Sequence, residues 1–316
     1  MRSVTAFAAV AAAGIVQAQD LNQTIVGCIG VGCPSTDGIN DNCTIVDASY
    51  PEIGLTRIAT SNGKLGGLSW VEGWNATDSS DGRVFHSSFY LATPSGLDLG
   101  DTGACSVFFN DATTFPGNND TSQGTCDDAM PSACVDALVQ RAQKLATGFG
   151  DNAPSSADAC AQLRKDLEDN LDDACKTVTL GSWKNLTSVA LTGNGAPTAI
   201  TAEQNGSSTC WPVTPKDDSL TFVSDFAEPG TLNLTDASAS LYAVTPILTL
   251  FYPGNGSLIT DVDASLTCIK PVGPALASLD TISTGGDDDD SAAGALSTSR
   301  VLTGLGLIAS IWWVSV

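Results

Sequence analysis

The stretch Ile247-Leu-Thr-Leu-Phe-Tyr-Pro-Gly-Asn-Gly-Ser-Leu-Ile-Thr-Asp-Val-Asp-Ala-Ser-Leu-Thr-Cys268 decides the fold class. In its second half Leu258, Val262, Ala264, Leu266 and Cys268 are apolar, and Asp261, Asp263, Ser265 and Thr267 alternate with them. Successive side chains of a strand point to opposite faces, so this pattern predicts a strand with one buried and one wet face. The first half is an apolar run, and Pro246 before it predicts a strand start or a sheet edge. Pro253-Gly-Asn-Gly joins the halves, which therefore read as an antiparallel hairpin.

The same period recurs upstream. Phe85, Ser87, Phe89 and Leu91 share one face of residues 83–91, and Val84, His86, Ser88 and Tyr90 share the other. Residues 55–74 hold short apolar stretches broken by Ser-Asn-Gly and Gly-Gly, the turn chemistry of hairpins. Residues 105–109, 178–180, 189–191 and 220–223 read as further strands, whereas residues 20–50, rich in Gly, Asn, Asp and Cys, read as a disulfide-stapled loop region. The period changes only between residues 132 and 175. There Ser132 is expected to cap a helix carrying Cys134, Leu138, Ala142 and Leu145 on one stripe, ended by Gly148. Ser155 and Asp158 form a capping box for a second helix carrying Cys160, Leu163, Leu167 and Leu171. The expected fold is α+β, mainly β: one antiparallel β-sandwich-like domain with a disulfide-linked helical hairpin, residues 132–175, inserted.

The ten cysteines are Cys28, Cys33, Cys43, Cys105, Cys126, Cys134, Cys160, Cys175, Cys210 and Cys268, and five disulfides are expected. No CxxC or Cys/His cluster suggests zinc. Matching heights along the two helices favours a bridge from Cys175 to Cys126 or Cys134, and disfavours Cys134 with Cys160. Cys210 and Cys268 stand apart and are a candidate pair.

Both termini carry targeting signals. Residues 1–18 have a positive start, an apolar centre and the small-x-small end Val16-Gln-Ala18, as in a signal peptide. At the other end Ser291, Ala292, Ala293 and Gly294 are small, a polar spacer ends at Arg300, and an apolar tail runs to Val316. That order is the glycosylphosphatidylinositol (GPI) attachment signal, with Ser291 as the expected attachment residue. The sixteen residues 301–316 fall short of the roughly 18 to 20 that a spanning helix needs. The expected division is signal peptide 1–18, disulfide-stabilised and N-glycosylated β-rich ectodomain 19–275, Ser/Gly/Asp-rich stalk 276–291, and GPI propeptide 292–316.

Thirty-five acidic against thirteen basic residues give a formal charge of −22. Nucleic acid is thereby disfavoured as a partner, since its recognition needs a basic face. Eight sequons, at Asn22, Asn42, Asn75, Asn119, Asn185, Asn205, Asn233 and Asn255, spread candidate N-glycans over the chain.

Candidate chemistry is sparse. His86, the sole histidine, reads as structural, because no Gly-x-Ser-x-Gly elbow accompanies it. Asp261-Val-Asp263 imitates a metal-binding Asp-x-Asp, but strand alternation assigns both carboxylates to the solvent face. Residues 75–82 supply oxygen ligands without calcium-loop spacing and read as a solvated turn. Trp70 and Trp74 are candidate glycan contacts, Trp74 standing next to the Asn75 sequon, although their large apolar area favours a core or rim role. No catalytic residue, cofactor-binding residue or metal ligand is marked, so no cofactor is expected.

The Ala-rich leader, the sequons, the cysteines around two Leu-striped helices, the segment Tyr242-Ala-Val-Thr-Pro-Ile-Leu-Thr-Leu-Phe-Tyr-Pro and the acidic stalk before the tail together resemble uncharacterised GPI-anchored cell-surface proteins of filamentous fungi. The cysteine spacing departs from the eight-cysteine CFEM module, so haem or iron capture is not implied. The resemblance implies an extracellular, lipoprotein-type address in the outer leaflet of the cell membrane through GPI lipid. It also implies transfer to cell-wall glycan, which the acidic run at residues 287–290 fits. The expected function is a non-enzymatic surface or cell-wall glycoprotein with a structural or glycan-contact role. The alternative is a secreted wall-polysaccharide hydrolase using a carboxylate pair.

Overall fold

Alternating polarity on strands requires something to cover each apolar face, and here the two sheets cover each other while helices and a small hairpin pack on their outer sides. The structure, a computed structural model, describes residues 43–79, 82–110, 125–150, 153–179, 181–207, 219–231 and 239–271. The strands are β1 (Cys43–Ile45), β2 (Ala48–Tyr50), β3 (Glu52–Arg57), β4 (Ser69–Ser79), β5 (Gly82–Thr93), β6 (Gly103–Phe109), β7 (Leu186–Ala190), β8 (Ser219–Gly230), β9 (Thr245–Tyr252) and β10 (Asp263–Ile269). The helices are α1 (Cys126–Ala129), α2 (Ser132–Thr147), α3 (Ser156–Asp169) and α4 (Ala202–Ser207).

The protein is mainly antiparallel β. One four-stranded sheet has the order β3-β4-β5-β8, a second has β10-β9-β6-β7, and β1 and β2 form a small hairpin. The expected hairpin of residues 247–268 is present as β9 and β10, paired from Asp263↔Phe251 to Ile269↔Thr245. Its second strand departs from the half-wet expectation. Nearly all of β10 is buried, including Asp263, because α2 covers one face and β3 and β4 approach the other.

Trp70, Phe89 and Leu91 of the first sheet share a buried cluster with Ala104, Phe108, Ile247, Phe251 and Ile269 of the second. Trp70 lies edge-on to Phe108, with ring centroids 5.4 Å apart, and its Nε1 donates to Thr249 Oγ1 at 3.0 Å. The indole thus keeps a polar partner inside an apolar layer, as burial of its N–H demands. On the outer side of the first sheet, the β1–β2 hairpin packs Ile45 and Tyr50 against Ile53, Val71 and Tyr90.

The outer side of the second sheet carries the helices. Cys134, Leu138, Ala142 and Ala146 form the buried stripe of α2, and Ala159, Cys160, Leu163 and Leu167 that of α3. Ala146 takes the place expected of Leu145, which is only partly buried. Ser155 caps α3 as predicted, accepting from Asp158 N at 3.2 Å. At α2 the expected cap fails: Ser132 is already helical and the preceding residue is Pro131, which offers no side-chain acceptor. The helices meet the sheet more than each other, α3 against β6 and β7, α2 against β9 and β10. The expected inserted hairpin of residues 132–175 is therefore not a helix-on-helix pair, because the apolar stripes find a larger apolar surface on the strands.

Among the described residues there are three disulfides, two of which join the helices to the second sheet. Cys105 of β6 joins Cys160 of α3, Cys126 of α1 joins Cys268 of β10, and Cys134 of α2 joins Cys175. The last is one of the two bridges favoured for Cys175. The pairing of Cys210 with Cys268 is corrected, since β10 runs beneath α1 and delivers Cys268 to Cys126. Cys28, Cys33 and Cys210 lie outside the described residues, as does the side chain of Cys43, and all described cysteine side chains are bonded.

Candidate functional site

A polar patch occupies one end of the otherwise apolar space between the sheets. Pairing dictates it: residues opposite each other across antiparallel strands share a face. Opposite Phe85, Ser87 and Phe89 of β5 stand Glu228, Phe226 and Ser224 of β8. Each row therefore joins one phenyl ring to one polar group, and the order reverses from row to row. The register shifts between Phe89 and Tyr90, leaving Val223 of β8 as an extra residue beside this patch. A β-bulge of this kind re-aims neighbouring side chains. From the facing sheet come Asn110, just past β6, and Thr245, which opens β9, while Ser240 and Ala243 close the end. Together they line a small cleft of about 20 Å³, room for one or two water molecules.

Behind the cleft sits an ionisable cluster. On the same inner face, Glu52 of β3 is opposite Trp74 of β4, and Gly54 is opposite Glu72. The two glutamates are thus diagonal neighbours, with Cα atoms roughly 7 to 8 Å apart by sheet geometry. Glu72 is 1 % exposed. Burial pushes its carboxyl up to about 8, against a smaller opposing pull from the Ser87 hydroxyl that donates to it. Its Oε2 has no hydrogen-bond partner among the described residues, and neither has Thr267 Oγ1 on the facing β10. Lys270, directly after β10, is fully buried, and its Nζ stands 5.0 Å from the centroid of the Tyr242 ring. The chain can pass so close only because residue 54 is glycine: a Cβ there would lie 2.3 Å from the Lys270 carbonyl oxygen.

Chemically, Glu72 is a neutral acid at pH 7 that can donate a hydrogen bond or a proton, and Ser87 connects it to the cleft. Glu228 supplies a carboxylate in the cleft itself. Among the described residues, no three His, Cys, Asp or Glu side chains converge as a metal-ligand set, and no helix is long and apolar enough to cross a membrane.

The glycan-contact assignment of Trp70 and Trp74 is corrected. They are 0 % and 2 % exposed, and Trp74 stacks on Phe85 while its Nε1 donates to Ser240 Oγ at 3.0 Å. Large indole surface favours burial wherever strand alternation points it inward. The two Asp261-Val-Asp263 carboxylates do not share a solvent face: Asp261 is exposed, but Asp263 is buried and accepts from Asn62 N at 2.9 Å. His86 lies on β5, with Nε2 2.9 Å from Thr77 Oγ1. The turn expected over residues 75–82 is shorter than thought, since β4 runs on to Ser79 and Asp78 pairs with Arg83 of β5 at 2.7 Å.

Of the sequons, Asn185 and Asn255 are exposed, Asn185 with a φ of 54° and Asn255 in the β9–β10 turn. Asn75 is half-buried and donates to Ser49 O at 3.4 Å, and Asn205 lies in α4. Asn22, Asn42, Asn119, Asn233 and Ser291 fall outside the described residues, together with the signal peptide, the stalk and the GPI propeptide. Glu52, Glu72 and Lys270 went unnoticed in the sequence. The available signal was period two, because Glu72 stands between Trp70 and Trp74 and must share whatever burial they have. No protein-family model matches the chain, and neither does any curated protein or any solved structure.

Proposed function

We propose that the chain is a GPI-anchored extracellular glycoprotein of the cell surface or cell wall, with a structural or surface-contact role. In this reading the two four-stranded sheets act as a β-sandwich-like ectodomain and the two helices as a disulfide-linked cover. The observation that carries it is the covalent frame, three bridges that tie α1, α2 and α3 to the second sheet or to the chain beside it. Such bridges persist in oxidising, extracytoplasmic compartments and keep a secreted domain rigid. The exposed Asn185 and Asn255 sequons agree with glycosylation in the same compartment. Fractionation tests the address: phosphatidylinositol-specific phospholipase or glucanase should release the protein, and mass analysis should find residues 292–316 removed. Retention in the membrane after both treatments, with Val316 still attached, defeats the proposal.

A second reading, a wall-polysaccharide hydrolase, is favoured by one observation, the protonated Glu72 carboxyl beside a cleft that holds Glu228. Incubation with β-glucan, chitin and mannan decides it. Turnover lost in Glu72→Gln supports this reading, and absence of turnover on all three retires it.

A further inference from the structure

We propose that Asn194 is a site of self-modification, at which the folded chain converts asparagine to aspartate and isoaspartate through a cyclic succinimide. This goes beyond the anchor reading and does not depend on it. The chain has four Asn-Gly steps, at residues 62–63, 194–195, 205–206 and 255–256. Glycine has no side chain to shield its backbone nitrogen and few limits on its dihedrals, so at such a step that nitrogen can reach the asparagine side chain. The Gly195 nitrogen attacks Asn194 Cγ: the N–Cγ bond forms, the Cγ–Nδ2 bond breaks, and ammonia leaves with the proton that the attacking nitrogen gives up. Water then opens the ring. Opening at Cγ restores an ordinary main chain with aspartate, and opening at the main-chain carbonyl carbon gives isoaspartate.

The fold treats these steps differently. Asn194 is exposed between Gly193 and Gly195, in a turn closed by a bond from Ala196 N to Gly193 O at 3.3 Å. A Cβ on Gly195 would meet nothing within 4 Å, so that side of the attacking residue is open. Asn62, by contrast, is half-buried; its Oδ1 accepts from Lys64 N at 3.0 Å, its own N donates to Asp263 Oδ2 at 2.9 Å, and Gly63 is wound into a 3₁₀ turn. Asn205-Gly206 lies inside α4, where ring closure means unwinding a helical turn. Asn255-Gly256 belongs to a turn pinned to its neighbours. Ser257 Oγ and Leu258 N donate to Thr102 Oγ1 at 3.1 and 3.0 Å, and a Cβ on Gly256 would come within 2.8 Å of Asp101 Oδ2. A glycan on Asn255 would also occupy the nitrogen that must leave. Local opening is easiest where contacts are fewest, which singles out Asn194. Either product adds a negative charge, and isoaspartate lengthens the main chain by one methylene, in the connection that leaves β7 and reaches β8 at the Ala199–Thr221 bridge. Thr192 Oγ1 donates to Thr102 O before the turn and Ile200 N to Leu220 O after it, so the added length falls between two anchors.

The test incubates the purified full-length protein at mildly alkaline pH, both native and in urea with its disulfides reduced. Peptide mapping with fragmentation follows Asn62 and Asn194 separately and distinguishes isoaspartate from aspartate. In the native protein Asn194 should convert faster than Asn62 by about tenfold or more, and in urea the two rates should converge. Asn194→Gln, whose longer side chain would need a larger ring, should lack the earliest acidic form that isoelectric focusing resolves in the native protein. Asn194 remaining intact, Asn62 keeping pace with it to within about tenfold, or a gap between them that persists in urea would each overturn the proposal. The same early acidic form accumulating unchanged in Asn194→Gln would overturn it as well.

Discussion

Replacing Glu72 by glutamine should change how stability depends on pH. In the folded chain this carboxyl is buried and titrates at about 8, against an ordinary value of 4.5. Between those two values the folded state holds a proton that the unfolded chain has released. Stability from this group is therefore fully present below about pH 4.5, falls as pH rises toward 8, and changes no further above it. At about 1.4 kcal/mol per pH unit, the total is on the order of 5 kcal/mol. Glutamine fills the same space and keeps a donor, but it does not titrate, so the variant lacks this slope. Urea unfolding of both proteins, disulfides intact, from pH 4.5 to 9 measures the difference. Every other group titrates equally in the two chains and cancels. Relative to wild type, the variant should gain stability steadily up to about pH 8 and then run parallel. Parallel curves over the whole range would refute the assignment of Glu72 as a buried neutral acid.

Gly54→Ala would press a methyl group to 2.3 Å from the Lys270 carbonyl oxygen, a backbone atom that cannot swing away. It should cost about 3 kcal/mol or more in unfolding free energy, while Gly63→Ala, with open space around it, should fall within about 1 kcal/mol of wild type. Non-reducing peptide mapping should recover Cys126 linked to Cys268, and Cys126→Ser with Cys268→Ser should lower stability by about 2 to 5 kcal/mol. Trp70→Ala should cost about 3 to 5 kcal/mol and leave Thr249 Oγ1 without its indole donor, as denaturant midpoints would record. If glycans occupy the exposed sequons, Asn185→Gln and Asn255→Gln should each reduce the mass of the purified protein by one glycan.

The antiparallel strand content was legible because period two is a local property. Residues 83–91 and 247–268 announced β5, β9 and β10 without help from the rest of the chain, and the leucine stripes did the same for α2 and α3. What lay beyond reach was anything that depends on which face meets which. Asp263 looked wet because its own strand alternates, yet it is buried and accepts from Asn62 N of the β3–β4 connection, 201 residues away in sequence. Cys268 looked isolated because its partner is 142 residues away. The cleft is still less legible, since it is assembled by pairing β5 with β8 across more than a hundred residues of intervening sequence. Glu72 is the intermediate case: its position between two tryptophans was visible, but the burial of those tryptophans was not.

The position of Cys268 has a mechanical consequence. β10 is an edge strand, hydrogen-bonded to β9 alone, and Cys268 is the residue before its last. Tension entering the chain after Ile269 would peel such a strand from its end, breaking ladder bonds one at a time, the weakest way to load a sheet. The bond from Cys268 to Cys126 intercepts that tension before the second rung and diverts it into α1 and the helical layer. Under reducing conditions the same pull should unzip β10 at low force, and under oxidising conditions the domain should hold until the remaining layers yield together.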